Sequence, residues 1–105
     1  MRGDIITVAM PGDYGKPRPA LVVQSDKILI PSTTVLLLTS NITHAPTVRL
    51  TVEPTLANGL RRSSQIMIDK TMTVRNEKVG PTIGQLDTET LARVDRAIAI
   101  FFGLG

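Results

Sequence analysis

The sequence predicts a mainly β fold that is completed by one helix at the C-terminus. Short apolar stretches rich in β-branched residues, separated by Gly, Pro, Asn and Ser, fill the chain up to about residue 85. From Asp87 onward, the apolar residues change from a strand-like to a helical spacing. A chain of 105 residues fits one domain, 1–105, and can bury a modest core without a disulfide or a metal.

The predicted sheet has a central strand and a half-buried strand. The continuous apolar run at 33–39 is typical of a strand that is buried on both faces. Residues 47–53 alternate with period two, so that strand should have one face in solvent, carrying Thr47, Arg49 and Thr51.

Turn signals divide the rest of the β region. Asn58-Gly59 is typical of a tight turn, and Asp69-Lys70 is expected to separate two strands. Residues 79–84 form a short strand or a turn. The predicted strands are 5–10, 20–24, 33–39, 47–53, 64–69 and 71–74.

The last segment predicts a helix with defined ends. Asp87 or Thr88 can cap its N-terminus, and Gly103 and Gly105 should end it. One helical face is apolar and should pack across a small barrel-like sheet, because a terminal helix needs a packed face to be stable. The apolar face comprises Leu91, Val94, Ile98 and Phe101, and the terminal Phe101, Phe102 and Leu104 are expected in the core rather than in a partner interface.

Composition excludes several classes of function. The chain has no Cys and a single His44, which removes thiolate chemistry, disulfide frameworks and the usual zinc clusters. Twelve Lys and Arg against nine Asp and Glu give a charge of +3, too mild to identify a nucleic-acid binder without considering placement. Three aromatic residues make a broad base-stacking platform improbable. No apolar stretch suggests a secretory signal or approaches the ~20 residues of a membrane span.

The loop at 11–19 holds cations in an unusual setting. Arg18 lies between Pro17 and Pro19, and Lys16 directly precedes Pro17. Proline fixes its own φ and biases the residue before it towards extended conformations, so both cations are expected to be held extended. A cation held in this way suits an anionic ligand, whereas the alternative for Arg18 is a surface ion pair or loop packing.

Four segments in order resemble the MazF/PemK family of toxin endoribonucleases: 3–5 (Gly-Asp-Ile), 15–24 with its Arg-Pro, 64–69, and 83–87 leading into the helix. The resemblance covers nearly the whole chain. It implies an SH3-like β-barrel of the CcdB type with a C-terminal helix. It also implies a cytoplasmic homodimer that cuts single-stranded RNA without a metal or other cofactor. A cognate antitoxin would neutralise the toxin, and the toxin would contact DNA only as part of its complex with the antitoxin.

The same resemblance assigns residues to roles. The family's catalytic arginine falls on Arg18, its threonine after the central strand on Thr39, and its acidic position on Asp69. Met67 stands where some relatives have an arginine. A histidine that certain relatives carry in the first loop is absent, and this loop offers Asp13, Tyr14 and Lys16 instead.

Metal-free cleavage uses the RNA's own 2′-hydroxyl and gives a 2′,3′-cyclic phosphate and a 5′-hydroxyl, so the protein must stabilise charge and move protons. A guanidinium such as that of Arg18 suits phosphate oxygens. Thr39 could bind phosphate or be an ordinary strand residue. Asp69 could act as a base, orient Arg18 or cap a turn, and His44 is expected to be exposed rather than the base. The RNA-binding candidates are Lys16, Ser40, Asn41, His44 and Lys70.

Two other functions compete with RNA cleavage. The first is a non-catalytic toxin that binds DNA gyrase, as CcdB does. CcdB uses a C-terminal tail containing Trp, whereas this chain ends in 101–105 without one. The second is a small-barrel RNA-binding module without catalysis, which the scarcity of aromatic residues disfavours. The Arg-Pro motif favours the nuclease.

Overall fold

The computed structural model describes residues 1–9 and 16–105 and forms an antiparallel sheet with a C-terminal helix. The predicted strand end at Met10, and Asp13 and Tyr14 of the first loop, lie outside the described residues. The elements are β1 (Asp4–Ala9), β2 (Pro17–Val22), β3 (Ser32–Thr39), β4 (Arg49–Val52), β5 (Ser64–Arg75), a 3-10 turn (Asn76–Lys78), β6 (Val79–Gln85) and α1 (Thr88–Phe101).

The central strand β3 separates two hydrophobic clusters. The order in the sheet is β4-β5-β3-β2-β1-β6, so β3 is hydrogen-bonded on both sides. Successive strand side chains point to opposite faces, and Leu36 accordingly belongs to the cluster beneath α1 while Val35 belongs to the other. Both residues are fully buried. The prediction of a strand buried on both faces is confirmed.

The loop between β4 and β5 joins the two edges of the sheet. The Gln85 amide of β6 donates to the Ala57 carbonyl at 2.8 Å. Gly59 has φ +68°, and a Cβ there would lie 2.0 Å from the Ile83 carbonyl oxygen. Only glycine allows both this left-handed backbone and this close approach. The predicted turn at Asn58-Gly59 is therefore confirmed, and it closes the sheet into a barrel-like shape.

Helix α1 begins and ends as its sequence predicts. The Asp87 carboxylate accepts from the Thr90 backbone amide and from the Thr90 hydroxyl, each at 2.9 Å. At the other end, the amide of Gly103 donates to Ile100 O at 3.1 Å and that of Leu104 to Ala99 O at 2.7 Å. These two bonds form a Schellman motif with Gly103 at φ +72°. No helix among the described residues is long and apolar enough to cross a membrane.

The expectation of a packed C-terminal end is wrong. Val94 is fully buried and Ile98 packs against the core, but Phe101, Phe102 and Leu104 are 45%, 55% and 78% exposed. The helix is fourteen residues long, and Ile98 is the last of its residues that packs against the core cluster. An apolar surface therefore remains at the end of α1.

The expected break at Asp69-Lys70 is also wrong, because β5 runs continuously from Ser64 to Arg75. The polar pair instead coincides with an irregularity in pairing. Leu36 pairs with Thr71 whereas Leu38 pairs with Ile66, so four β5 residues, 67–70, lie opposite one β3 residue. The neighbouring strand β4 pairs with β5 up to Met67 and supports it there. Tertiary pairing thus overrides a local turn signal.

Strand β4 is shorter than predicted, and the face that was expected in solvent is partly covered by protein. It spans Arg49–Val52, so Thr47 precedes it. Thr51 is exposed as predicted, whereas the Arg49 side chain is only 17% exposed because it contacts Asp69 on β5.

Strand β2 begins earlier than predicted, at Pro17, which places Arg18 inside the sheet rather than in the loop before it.

Candidate active site

An open cleft of about 1020 Å³ lies between the start of β2, the end of β3 and the loop from β4 to β5. Its wall combines apolar side chains such as Leu38 and Ile83 with polar groups. The charged and hydroxyl-bearing residues that line it are Thr7, Lys16, Arg18, Thr39, Ser40, Arg61, Arg62 and Ser64. A ligand in this cleft would contact cations and hydroxyl groups together.

The register of β2 and β3 brings Arg18 towards Thr39. Ala20 pairs with Leu37 in this antiparallel ladder. The paired residues end at Ala20, and continuing the register by two residues beyond them would put Arg18 opposite Thr39. Opposed residues of an antiparallel pair project to the same face. Both residues line the cleft, with Arg18 exposed and Thr39 half-buried. The two main catalytic candidates thus share one wall.

Thr39 is the last residue of β3, and its side chain is held by the turn that follows. Its Oγ1 accepts a hydrogen bond from the Asn41 backbone amide at 3.1 Å. A hydroxyl has one proton to donate as well as lone pairs to accept with. Its proton can therefore be directed to a ligand oxygen in the cleft.

The charge of the cleft is one-sided. Within the described part of its lining, four side chains are cationic (Lys16, Arg18, Arg61 and Arg62) and none is a carboxylate. Clefts lined by one sign of charge between low-dielectric walls concentrate ions of the opposite sign. The site is therefore suited to a polyanion, although the whole chain carries only +3.

Asp69 lies outside this cleft lining and hydrogen-bonds with Arg49 of β4. It is four residues along β5 from Gln65, the partner of Thr39, which corresponds to about 13 Å of strand. Partial burial raises the pKa of Asp69, but the Arg49 hydrogen bond and the charges of Arg49 and Lys70 outweigh it and hold the pKa below its ordinary value. Since Asp69 is inside a strand, it does not cap a turn.

The remaining predicted RNA-binding residues divide into two groups. Lys16 and Ser40 line the cleft. Asn41 and His44 are exposed in the loop after β3, and Lys70 is exposed beside Asp69, with its Nζ 3.6 Å from a carboxylate oxygen. These last three are not part of the cleft wall. The exposure expected for His44 is confirmed.

Sequence reasoning assigned no site role to four polar residues of the cleft: Thr7, Arg61, Arg62 and Ser64. The two arginines follow the Asn58-Gly59 turn directly, and an adjacent pair of cations after a predicted turn is a weak signal for a site. What brings them to Arg18 is the contact of the loop with β6, which joins residues more than twenty positions apart. No local pattern reports such a contact.

Comparison with known proteins identifies the family. Residues 1–102 match the family described as PemK-like, MazF-like toxin of type II toxin-antitoxin system. The chain is 43% identical to a probable endoribonuclease MazF of Mycolicibacterium smegmatis, over 98% of this chain and 96% of that protein.

Solved structures share the fold of this chain. The toxin MazF-mt6 of Mycobacterium tuberculosis superposes with a TM-score of 0.82 at 24% identity, covering 97% of this chain and 98% of the other. A mycobacterial endoribonuclease in complex with its cognate antitoxin superposes with a TM-score of 0.81 at 20% identity, over 100% and 96% of the two chains. By a family match over almost its entire length, this chain belongs to the PemK-like, MazF-like toxins of type II toxin-antitoxin systems.

Proposed function

We propose that this chain is an endoribonuclease toxin that cleaves single-stranded RNA at short sequences without a metal. The observation that carries the proposal is the cleft in which Arg18 and Thr39 share one wall among cations and hydroxyl groups. The near full-length similarity to a probable endoribonuclease supports the same reaction class. Binding of gyrase without catalysis, as CcdB does, is not favoured by either observation.

The reaction needs no group beyond the RNA and the protein. The 2′-oxygen of one nucleotide attacks the adjacent phosphorus and loses its proton, and the bond from phosphorus to the 5′-oxygen of the next nucleotide breaks. The leaving oxygen takes up a proton, so the products are a 2′,3′-cyclic phosphate and a 5′-hydroxyl. Negative charge is greatest on the phosphorane oxygens during this exchange, where fixed donors are most effective.

Arg18 is assigned to those phosphorane oxygens. Its guanidinium stays charged and can donate two parallel hydrogen bonds to phosphate. Its position in β2, with Pro on each side, limits the freedom that it would lose on binding. Thr39 is assigned to a neighbouring phosphate oxygen or to the 2′-hydroxyl, as a hydrogen-bond donor rather than a nucleophile.

Proton transfer is assigned to neither Asp69 nor His44. Asp69 lies outside the cleft lining and is engaged by Arg49, and His44 is exposed in another loop. The described cleft residues supply cations and hydroxyl groups, which stabilise charge better than they accept protons. Catalysis by these residues is therefore mainly electrostatic. We assign Asp69 a supporting role in the sheet through Arg49.

An antitoxin and a second copy of the chain are the proposed protein partners. A structural relative is described in complex with its cognate antitoxin, which supports neutralisation of this chain by such a protein. The exposed apolar end of α1 supports a homodimer, because contiguous apolar surface is typical of interaction sites. We place this single-domain toxin in the cytoplasm, with the RNA on which it acts.

The decisive experiment incubates the purified protein with RNA of mixed sequence in EDTA and maps both new ends. Cyclic-phosphate and 5′-hydroxyl ends at a short recurring sequence are expected. Arg18→Ala should lower the rate by about 10²–10³-fold, while Arg96→Ala, an exposed arginine on α1, serves as the matched control. Cleavage by Arg18→Ala at the parental rate would remove Arg18 from the mechanism, and intact RNA in all samples would refute the proposed activity.

A further inference from the structure

Arg61 and Arg62 form a pair of cations on the cleft wall provided by the loop between β4 and β5. Both are exposed, and neither has an ion-pair partner among residues 1–9 and 16–105. Three other arginines do have such partners: Arg2 with Asp95, Arg49 with Asp69 and Arg75 with Glu77. The exposed Arg93 and Arg96 of α1 have no such partner in the same part of the chain, but they do not line the cleft. Two adjacent guanidinium groups that face a cleft without a counter-charge indicate an anionic ligand.

The backbone before this pair is held rigidly. Asn58 is 4% exposed, and its Oδ1 accepts from the backbone amides of Thr55 and Leu60, both at 3.0 Å. Its Nδ2 donates to the Glu53 carbonyl at 2.9 Å. One buried side chain therefore ties three points of the loop together.

The backbone after the pair is also held. The Ser64 hydroxyl donates to the Arg62 carbonyl at 3.0 Å, and the Ser63 hydroxyl hydrogen-bonds with Glu53. Leu60 is buried in the core cluster beneath α1 and anchors the loop from below. The two side chains therefore start from a fixed backbone, which lowers the entropy cost of binding a ligand.

We propose that Arg61 and Arg62 form a second phosphate-binding subsite, which holds the RNA backbone beside the scissile phosphate bound by Arg18. This inference rests on the proposed function. RNA carries a phosphate at every nucleotide, so a strand whose scissile phosphate meets Arg18 presents further phosphates on either side of it, and Arg61 and Arg62 line the same cleft as Arg18. Arginine forks bind such oxygens with two parallel bonds. The subsite makes the enzyme prefer strands with phosphates beyond the one that is cut.

Binding provides the first test. The probe is a 2′-O-methyl oligoribonucleotide, which lacks the attacking hydroxyl and is therefore not cut. It carries the cleavage sequence mapped for the parent protein, or a mixed sequence if no cleavage sequence has been mapped. Arg61→Gln with Arg62→Gln should weaken binding about tenfold near 0.1 M salt. The slope of log affinity against log salt should flatten by about 0.7 for each phosphate that the variant no longer binds. Arg96→Gln is the matched control, and thermal unfolding should be unchanged in both proteins.

Kinetics separate this subsite from the reacting centre. The double variant should raise KM about tenfold with a cleavable oligonucleotide and leave kcat at saturation nearly unchanged, whereas Arg18→Ala should lower kcat. Unchanged affinity and KM in the double variant would overturn the subsite. Arg61 and Arg62 would then be assigned to binding an acidic segment of a partner protein. A fall in kcat with unchanged KM would overturn it too, because the pair would then act on the reacting phosphate. Should the parent bind RNA without cutting it, the proposed activity fails and the binding test still decides the subsite.

Discussion

The Asp69 carboxylate of β5 accepts a hydrogen bond from the Arg49 guanidinium of β4, near the end of the ladder that joins these strands. Arg49 also donates to the carbonyl of Val48 at 3.0 Å. Both side chains are partly buried, at 17% and 26% exposure. This pair therefore supports the edge of the sheet, away from the cleft that holds Arg18.

The first prediction concerns acid stability and Asp69. Because the folded-state pKa of Asp69 is below its ordinary value of 3.8, its stabilisation is present above pH 4 and is lost as the pH falls through the folded pKa. Asp69→Asn should lower stability by about 1 kcal/mol at pH 7, and the difference from the parent should shrink below pH 4. RNA cleavage should stay within about threefold of the parent. Urea unfolding at several pH values measures the first effect, and a loss of cleavage of about 10² would restore a catalytic role.

The second prediction concerns the hydroxyl of Thr39. Thr39→Val keeps the branched shape and removes the donor, so cleavage should slow by about 10–10²-fold while KM changes little. Single-turnover cleavage of a mapped oligonucleotide measures this. Thr73→Val, on the exposed part of β5, should leave the rate unchanged. A parental rate for Thr39→Val would make Thr39 an ordinary strand residue.

The third prediction concerns the contact that closes the barrel. A Cβ on Gly84 would lie 2.3 Å from the Asn58 carbonyl carbon and 2.5 Å from the Ala57 oxygen. Since backbone atoms cannot move aside cheaply, Gly84→Ala should cost about 1–3 kcal/mol and displace the loop that carries Arg61 and Arg62. Gly105→Ala, whose Cβ would have its nearest neighbour at 3.7 Å, should have no effect. Chemical unfolding and RNA affinity measured on both variants test this, and equal stability would contradict it.

The fourth prediction concerns the cap of α1. The hydrogen bonds from the Thr90 amide and hydroxyl hold the pKa of Asp87 below its ordinary value of 3.8. Asp87→Ala should lower Tm by a few degrees at pH 7 and by less below pH 4, where the parent's carboxylate becomes protonated. Calorimetry across pH measures both effects. A destabilisation that does not depend on pH would show that the carboxylate charge is irrelevant to the cap.

The fifth prediction concerns the exposed end of α1. The rings of Phe101 and Phe102 meet edge to face, 5.2 Å between centroids, on the surface. If they form the proposed dimer interface, Phe101→Ser with Phe102→Ser should give a monomer by light scattering, because the apolar area that drives association is removed. Leu56→Ser, at an exposed residue in the loop between β4 and β5, should leave the dimer intact. A monomeric parent protein would refute the interface.

Features that depend on neighbouring residues could be predicted from the sequence. The cap at Asp87, the end of α1 at Gly103 and the turn at Asn58-Gly59 depend on a few adjacent residues, and each prediction is confirmed. The two-sided burial of β3 follows from a continuous apolar run. The resemblance of the Arg-Pro segment also points to Arg18 without knowledge of the tertiary structure.

Long-range pairing decided the rest. Asp69-Lys70 has the composition of a turn, but β5 runs continuously through it, with pairing to β3 on both sides, at Ile66 and at Thr71. Arg61 and Arg62 reach the cleft because their loop contacts β6, more than twenty residues away. Phe101 and Phe102 are exposed, whereas Val94 and Ile98 of the same helix contact the core. The sequence by itself determined the local elements and the family, whereas only the tertiary structure decided which cations meet in the cleft, since that depends on contacts between distant residues.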